Sequence, residues 1–286
     1  LEAAAITGNI VDDFRADWVD YEAAGVADRA ALFERIVHLF ELVELDEDIY
    51  RLGLRGTVDP TEHPNVADAV LQARRALAAR LVEEGFAGLV EQFDRERYNT
   101  NATVAENLLF GTPIGDAFAF DRLADSVYVR EVLDKTGLTG DLLKAGREVA
   151  ETMVEIFADL PPGHEFFEQY SFISSDDLPE FKTLLSRTER QDAAQMSAAD
   201  RALLLSLPFR VIPAQHRLGV IGEDMQARLL EARQVFAAEL PDGLRDSVEF
   251  FDAERYNASA SLQDNILFGK VVYGQAGAEA RLGSLV

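Results

Sequence analysis

Apolar residues recur along this chain at intervals of three and four residues, which is the spacing of one face of an α-helix. Two distant segments repeat the same set of intervals. The first set is Val66, Val70, Ala73, Leu77 and Leu81, and the second is Met225, Leu229, Ala232, Phe236 and Leu240. Arg74, Arg75 and Arg80 fall off the apolar stripe. The pattern predicts a mainly α-helical fold, with few and short strands that are best placed at 209–212 and 248–251.

A further helical pattern follows Asp28. Its apolar residues are Leu32, Ile36, Leu39, Phe40 and Val43. They lie on one side of a 3.6-residue period, so the segment is predicted to be an amphipathic helix that begins near Asp28.

One stretch of the chain occurs twice. Residues 93–111, here the first repeat stretch, and 251–269, the second repeat stretch, are identical at eleven of nineteen aligned positions. The identical pairs are Phe93/Phe251, Asp94/Asp252, Glu96/Glu254, Arg97/Arg255, Tyr98/Tyr256, Asn99/Asn257, Ala102/Ala260, Asn107/Asn265, Leu109/Leu267, Phe110/Phe268 and Gly111/Gly269. Similarity at this level within one chain predicts an internal duplication.

Weaker sequence similarity continues on both sides of the repeat stretches. It divides the chain into a leader at 1–26, a helical repeat unit at 27–127, a connecting helical segment at 128–198 and a second helical repeat unit at 199–286. The second unit is predicted to be truncated, because the sequence of the first continues beyond the matching point.

Each repeat stretch contains the start signal of a short helix. Thr103 and Glu106 have the spacing of a capping box, in which the hydroxyl and the carboxylate each accept a hydrogen bond from a backbone N–H at the helix start. Ser261 and Asp264 form a weaker version because Asp is shorter. Gly111 is expected to end the helix in a left-handed conformation. The predicted capping and structural residues are Thr103, Glu106, Asn107, Gly111, Ser261, Asp264, Asn265 and Gly269.

Composition narrows the classes of function. The 51 acidic residues exceed the 27 basic ones and give a formal net charge of −24, which argues against binding to nucleic acid or to anionic lipid. The absence of cysteine excludes disulfides and thiolate metal sites. No apolar run is long enough to cross a membrane, so direct membrane insertion is not expected. The predicted location is cytoplasmic, with membrane association only through a partner.

Signatures of catalysis are missing from the sequence: it has no phosphate loop, no dinucleotide fingerprint and no zinc or nucleophile-elbow motif. Glu34 and His38 share a helix face, but no second such pair completes a metal site. The most specific feature is a Glu-Arg-Tyr-Asn quartet in each repeat stretch. These quartets are either structural or a pair of matching surfaces for a partner. The candidate interface residues are Arg97, Tyr98, Asn99, Arg255, Tyr256 and Asn257.

Residues 103–111, Thr-Val-Ala-Glu-Asn-Leu-Leu-Phe-Gly, resemble the segment after the glutamine loop in ATP-binding cassette (ABC) transporter ATPases, and 261–269 is similar with Asp264 in place of Glu. In that family the segment belongs to a helical subdomain that faces the transmembrane partner. The resemblance implies that Thr103, Glu106 and Asn107, with their counterparts in the second stretch, position this contact surface.

The chain also departs from that family. Arg95 and Ala253 stand where the family has its glutamine, and the signature motif and the catalytic glutamate are missing. The resemblance therefore implies a non-catalytic helical module that regulates or couples ATP-driven transport. No cofactor is expected in this chain, and ATP with Mg²⁺ is implied only for a parent polypeptide. The alternative is a soluble helical scaffold that binds a protein partner and is unrelated to ATPases. An enzymatic role ranks third.

Overall fold

The computed structural model describes residues 6–7, 17–83, 86–161, 164–165, 167, 171–189, 191, 195–275 and 277–283. Within these residues the fold is mainly α-helical, as predicted, and its strands are three residues long. The chain forms two compact units, Leu1–Arg55 and Gly56–Val286. Of the predicted leader, only 6–7 and 17–26 lie within the described residues. Segments from both predicted repeat units contribute to the Gly56–Val286 unit.

The Leu1–Arg55 unit contains helices α1 (Arg29–Leu42) and α2 (Asp46–Leu54). The predicted start of α1 is confirmed, because the Asp28 side chain accepts a hydrogen bond of 2.9 Å from the Ala31 N–H. No residue of α1 is buried, and Leu39 and Val43 of its apolar side are 42% and 57% exposed. Its periodicity therefore predicted the helix and not its burial.

The Gly56–Val286 unit contains the remaining elements. Its helices are α3 (Pro64–Arg80), α4 (Val104–Leu109), α5 (Val127–Lys135), α6 (Thr139–Phe157), α7 (Leu178–Thr188), α8 (Ala198–Phe209), α9 (Pro213–His216), α10 (Glu223–Ala238), α11 (Leu262–Leu267) and α12 (Ala278–Gly283). Its strands are β1 (Val90–Gln92), β2 (Gly111–Pro113), β3 (Val248–Phe250) and β4 (Gly269–Val271).

One strand prediction is confirmed and the other is wrong. β3 falls in the predicted segment 248–251. The segment 209–212 is not a strand: Phe209 is the last residue of α8, and Ile212 precedes the short helix α9. A four-residue segment with three apolar residues and Arg210 does not separate a strand from the end of a helix, and here the adjoining helix extends into the segment.

The main core lies between α4, α5, α6, α8 and α10. Leu108, Leu133, Leu142, Leu204 and Phe236 are fully buried there. The two helices with matched apolar intervals pack crosswise: α10 packs on α4 of the first repeat stretch, whereas α3 packs on α11 of the second. Each long helix thus covers the short helix of the other predicted unit.

The strands pair crosswise as well. β1 pairs antiparallel with β4, with Val90 opposite Val271, and β2 pairs antiparallel with β3, with Pro113 opposite Val248. Exchanging the two repeat stretches maps one pairing onto the other. Both stretches therefore lie side by side, each joined at both of its ends to the other.

Within the described residues, no helix combines the length and the apolar character that a membrane crossing requires.

Candidate functional site

The short helices of the repeat stretches begin as the sequence predicts. The Glu106 N–H donates to Thr103 Oγ1 at 3.1 Å, and the Thr103 N–H donates to Glu106 Oε2 at 2.8 Å, which completes the capping box. In the second stretch the Asp264 N–H donates to Ser261 Oγ at 3.0 Å, and the Asp264 carboxylate accepts from the Ser261 hydroxyl. The second cap is therefore the weaker version that was predicted.

The predicted helix end is displaced by one residue. Phe110 and Phe268 adopt the left-handed conformation, with φ of 47° and 42°, while Gly111 and Gly269 begin strands. The glycines are needed for another reason. A Cβ at Gly111 would lie 2.6 Å from the Glu249 carbonyl oxygen of the paired strand, so only glycine permits this approach of the strands.

Two asparagines in each stretch hold the turn before the helix. Asn107 Oδ1 accepts from the Asn99 N–H at 2.9 Å, and Asn107 Nδ2 donates to the Asn99 carbonyl at 2.8 Å. Asn265 makes the same pair of bonds with Asn257, both at 2.8 Å. An asparagine is required because one side chain must both accept and donate.

A buried arginine from α10 binds the first repeat stretch. Arg233 is 3% exposed. Its Nε donates to the Asn107 carbonyl at 2.7 Å and its Nη2 to Asn107 Oδ1 at 2.9 Å. Nη1 donates to the carbonyls of Asp94, Arg95 and Arg97, each at 3.1 Å. Burial lowers the pKa of Arg233 to about 10, which still leaves it protonated at neutral pH.

Arg74 from α3 binds the second stretch in the same manner. Its Nε and Nη2 donate to the carbonyl and Oδ1 of Asn265 at 2.6 and 3.0 Å. Its Nη1 donates to the carbonyls of Asp252, Ala253 and Arg255, at 2.8 to 3.0 Å. We call Arg74 and Arg233 the crossed arginines, because each is supplied by the helix of the other predicted unit.

Four phenylalanines fill the space between the stretches. Phe93 and Phe251 stack face to face, with ring centroids 4.3 Å apart and planes 11° apart. Phe110 and Phe268 meet this stacked pair edge-on, and the guanidinium groups of the crossed arginines lie 4.5 and 4.6 Å from their ring centroids. The two stretches therefore form one packed element.

The candidate interface residues separate into two groups. Tyr98, Asn99 and Asn257 are buried, and Tyr256 is half-buried, so these residues serve the packing of the turns. Arg97 and Arg255 are exposed. A partner that approaches the quartets would meet the two arginines.

The tyrosines of the quartets differ from an ordinary buried tyrosine. The Tyr98 hydroxyl is buried with no hydrogen-bond partner in the described part of the chain. The Tyr256 hydroxyl faces the backbone of Val58, outside ordinary hydrogen-bond geometry. Burial raises the pKa of both tyrosines, that of Tyr98 well above the range of a free phenol. Both hydroxyls therefore stay neutral at physiological pH.

Tyr98→Phe should raise the free energy of unfolding by about 1 kcal/mol, because the hydroxyl is hydrated in the unfolded chain and unsatisfied in the fold. The matched control is Tyr128→Phe. Tyr128 is equally buried, at 9% exposure, but its hydroxyl donates to the Phe236 carbonyl at 2.7 Å. This substitution should lower stability by about 1 kcal/mol. Urea unfolding of both variants checks the opposite signs. A loss of stability in Tyr98→Phe would show that the hydroxyl has a partner.

The crossed arginines were missed by the sequence analysis, which placed Arg74 off the apolar stripe. The signal was present: Ala73-Arg74 and Ala232-Arg233 occupy the same place in the two matched helices. An arginine repeated at one position of two amphipathic helices, next to an alanine of the buried face, is a sign of a shared buried contact.

Within the described residues, no group of three or more His, Asp or Glu side chains is placed to hold a metal ion. Comparison of the chain with protein-family models, with curated proteins and with solved structures gave no match.

Proposed function

We propose that this chain is a non-catalytic helical module of an ABC transporter ATP-binding polypeptide, which couples ATP turnover to a protein partner through its paired repeat stretches. The proposal rests on the observation that the two repeat stretches are joined crosswise by their strands and by the crossed arginines. Each carries the segment that resembles the partner-facing element of that family, and each is bound by an arginine from the helix of the other predicted unit.

The contacts between the two repeat stretches give the module a mechanical role. Crossed arginines, paired strands and the stacked rings Phe93 and Phe251 leave little freedom for one stretch to move alone. A force applied to one contact surface is then passed to the other through packed side chains rather than through a flexible loop. Descent of the two stretches from one duplicated segment stays a prediction that fits this arrangement.

The exposed arginines are the contact groups that this proposal assigns. Arg97 and Arg255 occupy equivalent places in the two stretches, and neither side chain has an ion-pair partner in the described part of the chain. The chain has a formal net charge of −24, so two exposed cations beside the paired repeat stretches favour a partner surface with carboxylates or with helix C-termini.

The test is the ATP hydrolysis of the full polypeptide with its membrane partner in vesicles. The double variant Arg97→Glu and Arg255→Glu should reduce partner-stimulated turnover about tenfold, because like charges at a contact oppose docking. Basal turnover and the helical circular dichroism should be unchanged. The control is Arg122→Glu, which reverses an exposed arginine outside the repeat stretches and should leave stimulation intact.

Full stimulation in the double variant would contradict the assignment of the two arginines. The family assignment has a separate check: we expect the reading frame that encodes this chain to contain a phosphate loop upstream and a signature motif downstream. A stable complex with a protein partner that lacks any ATP-binding cassette would instead support the helical scaffold.

A further inference from the structure

A cavity of about 600 Å³ lies within the Gly56–Val286 unit, beside the second repeat stretch. It is bounded by the C-terminal half of α10, a 3₁₀ turn at Asp242–Ser247, β3 and the turn that carries the second quartet. Sites for small molecules have volumes of roughly 300 to 1,000 Å³ and combine an apolar lining with a few polar groups. The cavity has the size of such a site.

The charge of the lining differs from that of the chain. Four arginines and three carboxylates line the cavity, in a protein with 27 basic and 51 acidic residues. The carboxylates of Glu249 and Asp252 already accept hydrogen bonds from backbone N–H groups, each at 2.9 Å. Arg233 is bound to the carbonyls of the first stretch. The remaining arginines are Arg95, Arg245 and Arg255.

Two of these arginines keep their donors available. The side chains of Arg95 and Arg255 make neither a hydrogen bond nor an ion pair with any described residue. Arg245 Nε donates to Asp242 Oδ1 at 2.8 Å. Guanidinium groups bind carboxylate and phosphate groups by two parallel hydrogen bonds.

Two of the four lining arginines have no arginine at the equivalent position of the other predicted unit. When the repeat stretches are aligned without a gap, Arg95 corresponds to Ala253, and Arg245 corresponds to Ala87. The crossed arginines, the asparagines and the strand glycines are the same in both copies because packing requires them. Arg95 and Arg245 have no such packing role, so a different cause is needed for their presence around one cavity.

The floor of the cavity is apolar and aromatic. Phe110, Phe250 and Phe251 line it together with Leu109, and Phe250 is 36% exposed. A hydrated ion such as free phosphate would gain nothing from these rings. A ligand with a flat apolar body would cover them while its anionic group meets the arginines.

We propose that this cavity binds an aromatic anion of small-molecule size, with its carboxylate or phosphate group held by Arg95 and Arg255 and its ring placed on the phenylalanine floor. This site needs no partner and no ATP, and it shares Arg255 with the partner contact proposed above. A ligand bound at the turn of the second quartet would add a further contact to the paired repeat stretches.

The experiment is an NMR titration of the whole chain with phenyl phosphate and, separately, with phenylacetate. Saturable shifts of the amides from 249 to 256 are expected for at least one of them, with a dissociation constant below about 10 mM. Inorganic phosphate and benzyl alcohol should bind at least about tenfold more weakly, since phosphate lacks the aromatic ring and benzyl alcohol lacks the anionic group. The stronger of the two anions identifies the preferred acid group.

The variants Arg95→Ala and Arg255→Gln should each weaken binding about tenfold, the loss expected for one charge-assisted hydrogen bond. Arg95→Ala should fold normally, because the second stretch has alanine at that position. Arg122→Ala is the control and should bind as the original chain does. Absence of saturable shifts, equal binding of benzyl alcohol, or unchanged affinity in both variants would overturn the proposal.

Discussion

Arg233→Met should lower the free energy of unfolding of the Gly56–Val286 unit by about 3 to 5 kcal/mol, because each buried acceptor that is left unsatisfied costs about 1 to 3 kcal/mol. Methionine fills a similar volume, so the loss comes from polarity rather than from a cavity. Five acceptors in the first repeat stretch would each lose one donor.

Arg74→Met removes the same set of bonds and should cost less. Its site lies outside the main core, where Ile266 of the second stretch retains 9% exposure while the equivalent Leu108 is fully buried. Water can reach the acceptors there more easily. The difference between the two losses in free energy of unfolding thus measures how far water is excluded from each arginine site.

Urea unfolding followed by circular dichroism measures both losses. The control is Gln234→Met, which introduces the same side chain at the exposed neighbour of Arg233 and should change stability by less than about 0.5 kcal/mol. A loss below about 1 kcal/mol in Arg233→Met would mean that water or a rearranged turn satisfies the acceptors.

Local features of the fold were predictable from the sequence because they depend on neighbours in the chain. The capping box of Thr103 and Glu106 needs only residues three apart, and its geometry is confirmed. The start of α1 at Asp28 and the helical period of α3 and α10 are local in the same sense. Here the spacing of side chains determines the structure directly.

Long-range contacts could not be predicted in this way. Arg74 lies four residues after Val70, on the same face of α3, but an arginine on a helix is ordinarily solvated. What makes its burial favourable is a set of carbonyls about the Asn265 turn, far along the chain. The left-handed conformation of Phe110 has a similar origin, because the glycine is required one residue later by the strand contact.

The segment 209–212, wrongly predicted as a strand, follows the part of α8 that packs closely against α6. Pro208 lies inside the last turn of α8, where it supplies no N–H to the carbonyl of Leu204. Gly146 of α6 lies against this carbonyl: a Cβ at Gly146 would be 2.0 Å from the Leu204 oxygen and 3.2 Å from Pro208 Cδ. Glycine is therefore required where α6 approaches the backbone of α8.

Gly146→Ala should consequently destabilise the unit by about 3 kcal/mol or more, the upper end of the range for overpacked cores. The obstacle is backbone rather than a flexible side chain, so α6 and α8 would have to move apart. That movement would loosen the packing of Val149, Leu204 and Leu205, which are almost completely buried. Thermal and urea unfolding both measure the effect.

Gly140→Ala provides the matched comparison within the same helix. Nothing lies within 4 Å of a Cβ at Gly140, so alanine there should raise stability by about 0.4 to 1 kcal/mol through reduced freedom of the unfolded chain. The two glycine variants should therefore shift the urea midpoint in opposite directions. If Gly146→Ala were as stable as Gly140→Ala, the close crossing of α6 and α8 would not exist in solution.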